Sequence, residues 1–290
     1  MCSAALKALF LHFKDHHFIL FGSFVACELF KDCDNVSIHL DNKKKRFLNY
    51  ILFAKKYKFL YAFSFRSAYS AKILLFLLKA KHKFIFDKNK HKNEHQVLKY
   101  IKFIEESLDI NIKNKELFLP FKKQNSNKKL LGISAGAKYG EAKRWDPINF
   151  ANSALAFKDS HEILLFGSKE EKELLSIIEN ELVKGGAICK NLCGQTSIKE
   201  LCEFISSLDL FLCNDSGAMH IAAFYKINTV AIFGPTNFKQ SSPWLNENAK
   251  ILHLDLDCMP CMKRVCPLKH NACMTELKAE SAIKALKDLV

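Results

Sequence analysis

The residues best suited to chemistry lie in three short loops of the second half of the chain. Asn214-Asp215-Ser216-Gly217 follows an apolar run and leads into a helical pattern through Met219, His220 and Ala223. Asp215 or Ser216 can cap such a helix, and Gly217 lets a ligand approach the backbone. Free N–H groups and the helix dipole then make an anion site. Taken alone, the tetrapeptide also suits an ordinary capped helix start, and His220 an ordinary packed polar residue. The second loop runs from Ser134-Ala135-Gly136-Ala137 to Ala142-Lys143-Arg144-Trp145, pairing small residues with two fixed positive charges. Phe233-Gly234-Pro235-Thr236 is the third. Together they suit a nucleotide diphosphate better than any one does alone. Neither a Walker loop nor a strand-anchored GxGxxG is present, which argues against a P-loop NTPase or a dehydrogenase.

Two further groups are candidates. Cys258, Cys261, Cys266 and Cys273 fall within 16 residues, with His270 among them. Thiolates at short spacing can hold zinc, although this is not the spacing of a zinc finger, and reduced structural thiols are the alternative. In the first half, Arg66 and Ser67 stand between an apolar run and a helical one, where they can grip a phosphate or carboxylate. The run Lys43-Lys44-Lys45-Arg46 reads as a solvated loop.

These loops need a frame that brings them to one edge. Short apolar runs at 130–134, 163–166, 210–213, 229–233 and 251–254 read as buried strands. They alternate with segments of helical period such as Ile198, Leu201, Cys202, Ile205 and Leu208. Strands that alternate with helices imply parallel pairing and right-handed crossovers, hence a doubly wound sheet. In the first half, strands are expected near 18–21, 36–40, 59–65 and 83–86, with helices at 3–13, 67–79 and 95–108. The polar stretch 122–129 reads as a linker, dividing the chain into domains 1–129 and 130–290.

Of 290 residues, 49% are hydrophobic and 26% charged, which is globular composition with room for two domains. No apolar stretch approaches the ~20 residues that span a bilayer. No leader pattern opens the chain and the eleven cysteines are an odd number, so a cytoplasmic protein with reduced thiols is expected. The net charge of +14 is one-sided. Residues 1–129 hold 26 Lys and Arg against 11 Asp and Glu, whereas the remainder is nearly balanced. Such a field points to an anionic partner, or else to a surface that merely aids solubility. A basic nucleic-acid-binding protein is a rival, but no module with stacking aromatics on a defined element is present, so no nucleic acid is expected.

The motifs in the three loops, with Leu165-Phe166-Gly167-Ser168 between them, resemble those of the ADP-heptose:lipopolysaccharide heptosyltransferases, above all the heptosyltransferase II branch. The resemblance covers most of residues 130–275, and Ser64-Phe65-Arg66-Ser67-Ala68 extends it loosely. It implies a GT-B fold, two doubly wound Rossmann-like domains facing a cleft, and inverting transfer of heptose from ADP-heptose to the inner core. By position, Lys143 would neutralise the donor diphosphate, and Asp215, Ser216 and Gly217 would cradle it with support from His220. Ala137 and Thr196 would complete the donor site, and Glu171 would take the ribose in preference to its neighbour Glu170. Arg66 and Ser67 would meet the acceptor, a lipid A–inner-core molecule, with peripheral contact at the inner membrane. No metal or other cofactor is expected to be required. Heptosyltransferase I specificity, another sugar, or a non-catalytic remnant are the alternatives. The family opens with a strand and a Leu-Gly-Asp loop whose aspartate is the proposed base. Here Met1-Cys2-Ser3-Ala4-Ala5-Leu6 matches the helix after that loop, so a loosened N-terminal half without that aspartate is expected.

Overall fold

In the second half, five consecutive buried residues make each of the two central strands, Leu130–Ser134 (β5) and Leu210–Asn214 (β8). Strands buried on both faces pair in parallel and need helices on either side. The computed structural model describes the backbone of residues 1–290 and every side chain except that of Lys43. It forms two compact units, Met1–Pro120 and Phe121–Val290. Phe121 and Gln124 belong with the second, since Tyr225 Oη donates to the Phe121 carbonyl at 3.2 Å and the Gln124 N–H to Ser206 Oγ at 2.9 Å.

The second unit is a six-stranded parallel sheet, with helices Pro147–Leu155 (α6), Lys172–Lys184 (α7) and Ile198–Ser206 (α8) among its connections. Its strands are β5, Glu162–Leu165 (β6), Cys189–Asn191 (β7), β8, Asn228–Ile232 (β9) and Ala249–Leu252 (β10), in the order β10-β9-β8-β5-β6-β7. The chain leaves β5 in one direction through β6 and β7, then returns to build β8, β9 and β10 on the other side. Ligands of doubly wound sheets bind beyond the carboxyl ends of the strands where the winding reverses, and here that place lies between β5 and β8. The core joins Leu131, Ile133, Ile163, Leu165, Leu212, Val230 and Ile232 to the fully buried Trp145 and Phe150. Trp145 satisfies its indole N–H on the Leu277 carbonyl at 2.7 Å.

The first unit contains Phe18–Gly22 (β1), Val36–Leu40 (β2), Lys58–Ser64 (β3) and Lys79–Ile85 (β4), and helices Ser3–His12 (α1), Phe24–Glu28 (α2), Arg46–Lys56 (α3), Tyr69–Leu77 (α4) and Gln96–Leu108 (α5). Its strands do not form one ladder. β1 pairs only with β2 and β3 only with β4, both in parallel, so each strand has a single hydrogen-bonded neighbour. All five residues of β1 are only half-buried, in contrast to β5 and β8. The run expected to be a solvated loop is a single turn over Lys43–Lys45 followed by α3, which Arg46 opens while pairing with Asp41 at 3.1 Å. The side chain of Lys43 lies outside the described residues.

Candidate active site

One side chain ties the loop after β8 to both ends of the loop after β5. Asn214, fully buried, donates from Nδ2 to the Ala135 carbonyl at 2.6 Å, and its Oδ1 accepts from the Trp145 N–H at 3.3 Å. This brings Lys143 to Asp215. Lys143 Nζ donates to Asp215 Oδ2 at 2.5 Å, and Thr236 Oγ1, from the loop after β9, donates to the same oxygen at 2.7 Å. Lys143 also lies over the Tyr139 ring, 4.8 Å from its centroid. Lys143 and Asp215 are 9% and 8% exposed, so each needs the other to offset its lost hydration. Three loops from three adjacent strands thus meet at one buried cation.

Beside it begins the helix Gly217–Tyr225 (α9). Ser216 at its start is extended and does not cap it, so the first-turn N–H groups have no side-chain partner there. Ser216 Oγ and Arg144 Nε are buried and lack hydrogen-bond partners among the described residues. No atom lies within 4 Å of where a Cβ on Gly217 would stand. Open space, free N–H donors, an unused hydroxyl and a fixed cation suit an anion of phosphate type. His220 is half-buried one turn into α9, and Ala137 is buried in the loop after β5.

The loop after β6 closes on the same place. The Ser168 N–H donates to Glu171 Oε2 at 2.8 Å, and the Glu171 carboxylate lies so near Gly136 that any side chain there would collide with it. Glu170 is exposed instead. Its own backbone N–H and the Ser168 hydroxyl hold its carboxyl below the usual range. Of the two, Glu171 is therefore the one placed against the β5 loop. Thr196 is half-buried in the loop after β7, which the Gly194 N–H fastens to the Gly167 carbonyl at 2.9 Å.

The cysteine segment supports these loops from outside. The Ala142 N–H donates to the Arg264 carbonyl at 3.2 Å, Tyr139 Oη to the Met262 carbonyl at 2.8 Å, and the Met262 N–H to the Pro235 carbonyl at 2.8 Å. Cys258, Cys261, Cys266, Cys273 and His270 line a small cavity, and burial pushes the Cys273 thiol up to about 11, reinforced by the other three. Among the described residues, no group of three or more His, Cys, Asp or Glu side chains is arranged to hold a metal ion.

In the first unit, Arg66 is exposed and its guanidinium lies 3.5 Å from Asp41, whose side chain is nearly buried and also takes Arg46. Ser67 is half-buried beside it. Sequence reasoning missed Asp41. Its one local signal is its place at the carboxyl end of β2, and its Arg66 partner comes from another loop 25 positions on.

The model of glycosyltransferase family 9 (heptosyltransferase) matches residues 63–272. Lipooligosaccharide heptosyltransferase 2 of Campylobacter jejuni subsp. jejuni is 52% identical over 299 residues, covering all of this chain and 94% of that relative. Among solved structures, ADP-heptose lps heptosyltransferase II of E. coli matches with a TM-score of 0.77 at 18% identity, covering 99% of this chain and 94% of the other. The family 9 glycosyl transferase of Veillonella parvula gives a TM-score of 0.85 at 17% identity, covering 99% and 92%.

Proposed function

Because this chain belongs to glycosyltransferase family 9, the heptosyltransferases, we propose that it moves heptose from ADP-heptose to the lipid-anchored inner core of lipooligosaccharide. Identity of 52% over the whole chain to a heptosyltransferase 2 supports that acceptor over the heptosyltransferase I alternative. The observation that carries the donor assignment is the buried Lys143–Asp215–Thr236 centre beside the uncapped start of α9.

In an inverting transfer, the acceptor oxygen gives its proton to a base and bonds to the anomeric carbon. As it does so, the bond from that carbon to the diphosphate oxygen breaks, and negative charge grows on the departing ADP. A preorganised cation and fixed N–H donors stabilise that charge without reorganising, so they favour the transition state over the ground state. Lys143 is placed for this work. Asp215 spends its carboxylate on Lys143 and Thr236, so it positions the cation, and its own N–H is already given to the Ile232 carbonyl. Ser216 and the first turn of α9 receive the remaining phosphate oxygens, and Glu171 accepts from the ribose hydroxyls. Fixed protein charge serves the leaving group, and turnover is proposed to need no metal. Arg66 and Ser67 face the phosphorylated acceptor. The reaction is placed in the cytoplasm, at the inner face of the membrane that carries this acceptor.

Calorimetry with ADP and UDP, followed by transfer assays with ADP-heptose, tests the reading. ADP should bind and UDP should bind more weakly. A folded sample that prefers UDP, or binds neither, would exclude the donor assignment. ADP binding without transfer would leave a nucleotide-sugar-binding remnant.

A further inference from the structure

The first unit has a surface that the donor site does not use. From Asn42 to Phe86 the chain has twelve Lys and Arg and not one Asp or Glu. α3 lies within this stretch. It turns Tyr50, Phe53 and Ala54 into the core, at 1–5% exposure. Its other side carries Phe47, Leu48, Ile51 and Leu52, exposed by 57%, 53%, 41% and 57%. In a helix, positions 47, 51 and 55 form one row and 48, 52 and 56 the next. Both rows therefore run from apolar residues into Lys55 and Lys56, and Lys44 and Lys45 precede them, all four exposed. The neighbouring α4 repeats the pattern. Tyr69, Lys72 and Phe76 share a face at spacings of three and four, and Tyr69 and Phe76 are 79% and 82% exposed. Lys83 reaches the same place, donating to the Phe76 carbonyl at 3.0 Å.

We infer that the outer face of α3, continued by Tyr69 and Phe76 of α4, docks on an anionic lipid bilayer. The apolar centre enters the acyl boundary and the flanking lysines meet phosphate headgroups, the arrangement of a helix lying in a membrane interface. Charge complementarity selects this occupant. A second copy of the chain would set lysines against lysines. A nucleic acid would match the charge but gives Leu48, Ile51 and Leu52 nothing to pack on. The inference deepens the proposed function, whose acceptor is anchored in such a bilayer, yet its readout needs neither donor nor acceptor.

The test is sedimentation of the full chain with vesicles of phosphatidylcholine, alone or with phosphatidylglycerol, in low and high salt. The chain should bind the anionic vesicles, release in high salt and ignore the neutral ones. Leu48→Ser/Leu52→Ser should weaken binding at least 10-fold. Lys44→Glu/Lys55→Glu should do so by more than the ~5-fold expected for each lysine removed. Lys184→Glu/Lys199→Glu, exposed on the second unit, should change little. Circular dichroism of each variant checks that these surface changes leave the fold intact. Binding unaffected by the α3 variants, or a dimer that they dissociate without any vesicle binding, would overturn the inference. Calorimetry with ADP reports on the donor reading separately, since none of these residues belongs to it.

Discussion

Replacing Lys143 by alanine does two things at once, and they can be separated. It removes the cation proposed to meet the departing diphosphate, a loss of about 10²–10³ in turnover on the scale of one transition-state stabiliser, or ~2.7–4 kcal/mol. It also strands the Asp215 carboxylate, 8% exposed and left with only the Thr236 hydroxyl. A carboxylate about 5 Å from a phosphate oxygen, at an effective dielectric of ~20, repels it by ~3 kcal/mol. The single variant should therefore lose at least 10²-fold in kcat/KM, and ADP affinity should fall with it. The second effect is reversible by design. Asp215→Asn in the Lys143→Ala background deletes the stranded charge while its amide oxygen still accepts from Thr236, so the double variant should outperform the single by about 10-fold or more. In the wild-type background the same Asp215→Asn change should slow the enzyme, because Lys143 loses its tether. Steady-state transfer at varied ADP-heptose, with calorimetry for ADP, measures all four proteins. The reasoning fails if Lys143→Ala costs less than 10-fold, or if Asp215→Asn is harmful to the same extent in both backgrounds.

Arg144→Ala should act differently from Lys143→Ala, raising KM for the donor several-fold while leaving kcat within about 3-fold, since Arg144 stands outside the Asp215 network; equal effects on kcat would refute this. Burial pushes Cys189 and Cys202 up to about 12 and Cys273 to about 11. The fold thus favours neutral thiols, and that stability is intact below the unfolded value near ~8.5 and is lost as pH rises through 11–12. Denaturant unfolding should show the loss above about pH 9, by up to ~1.4 kcal/mol per pH unit per thiol, and Cys202→Ala should flatten the slope. In limited proteolysis the first unit should be cut before the second, as its strands have single partners and its surface carries many large apolar residues; simultaneous loss of both would contradict this.

The second unit was legible because its strands are unbroken apolar runs and its loops carry small residues and charges where such a sheet ends. β7 escaped notice because Cys189–Asn191 is three residues long, with Lys190 exposed. α3 escaped for a different reason. Apolar residues on both its faces erase the helical period, and the lysines before it read as a loop. The three loops could be proposed as one site from their positions, but the pairing of Asp215 with Lys143 spans 72 residues and that with Thr236 spans 21, and both are tertiary. The two separate strand pairs of the first unit were not anticipated either, because periodicity identifies a strand and not its neighbours.

The hydrogen bonds from the cysteine segment to the candidate-site loops run through main-chain atoms and one tyrosine hydroxyl, at the carbonyls of Met262, Arg264 and Pro235, and the Arg264 guanidinium adds a contact 5.3 Å from the Tyr139 ring centroid. Gly140 follows the Arg264 backbone so closely that a side chain there would strike it. What these hydrogen bonds require is therefore a route through space: the bonded carbonyls do not depend on which side chains stand at 262 and 264, and only the Arg264 contact with Tyr139 does. Substitutions at the segment's exposed positions, such as Val265 and Leu268, should be silent, whereas a single residue inserted between Cys261 and Met262 should shift both carbonyls and misplace Lys143 without touching any group proposed to meet the donor. In this respect residues 262–268 act as a jig: at their exposed positions drift in sequence is tolerated where drift in length is not.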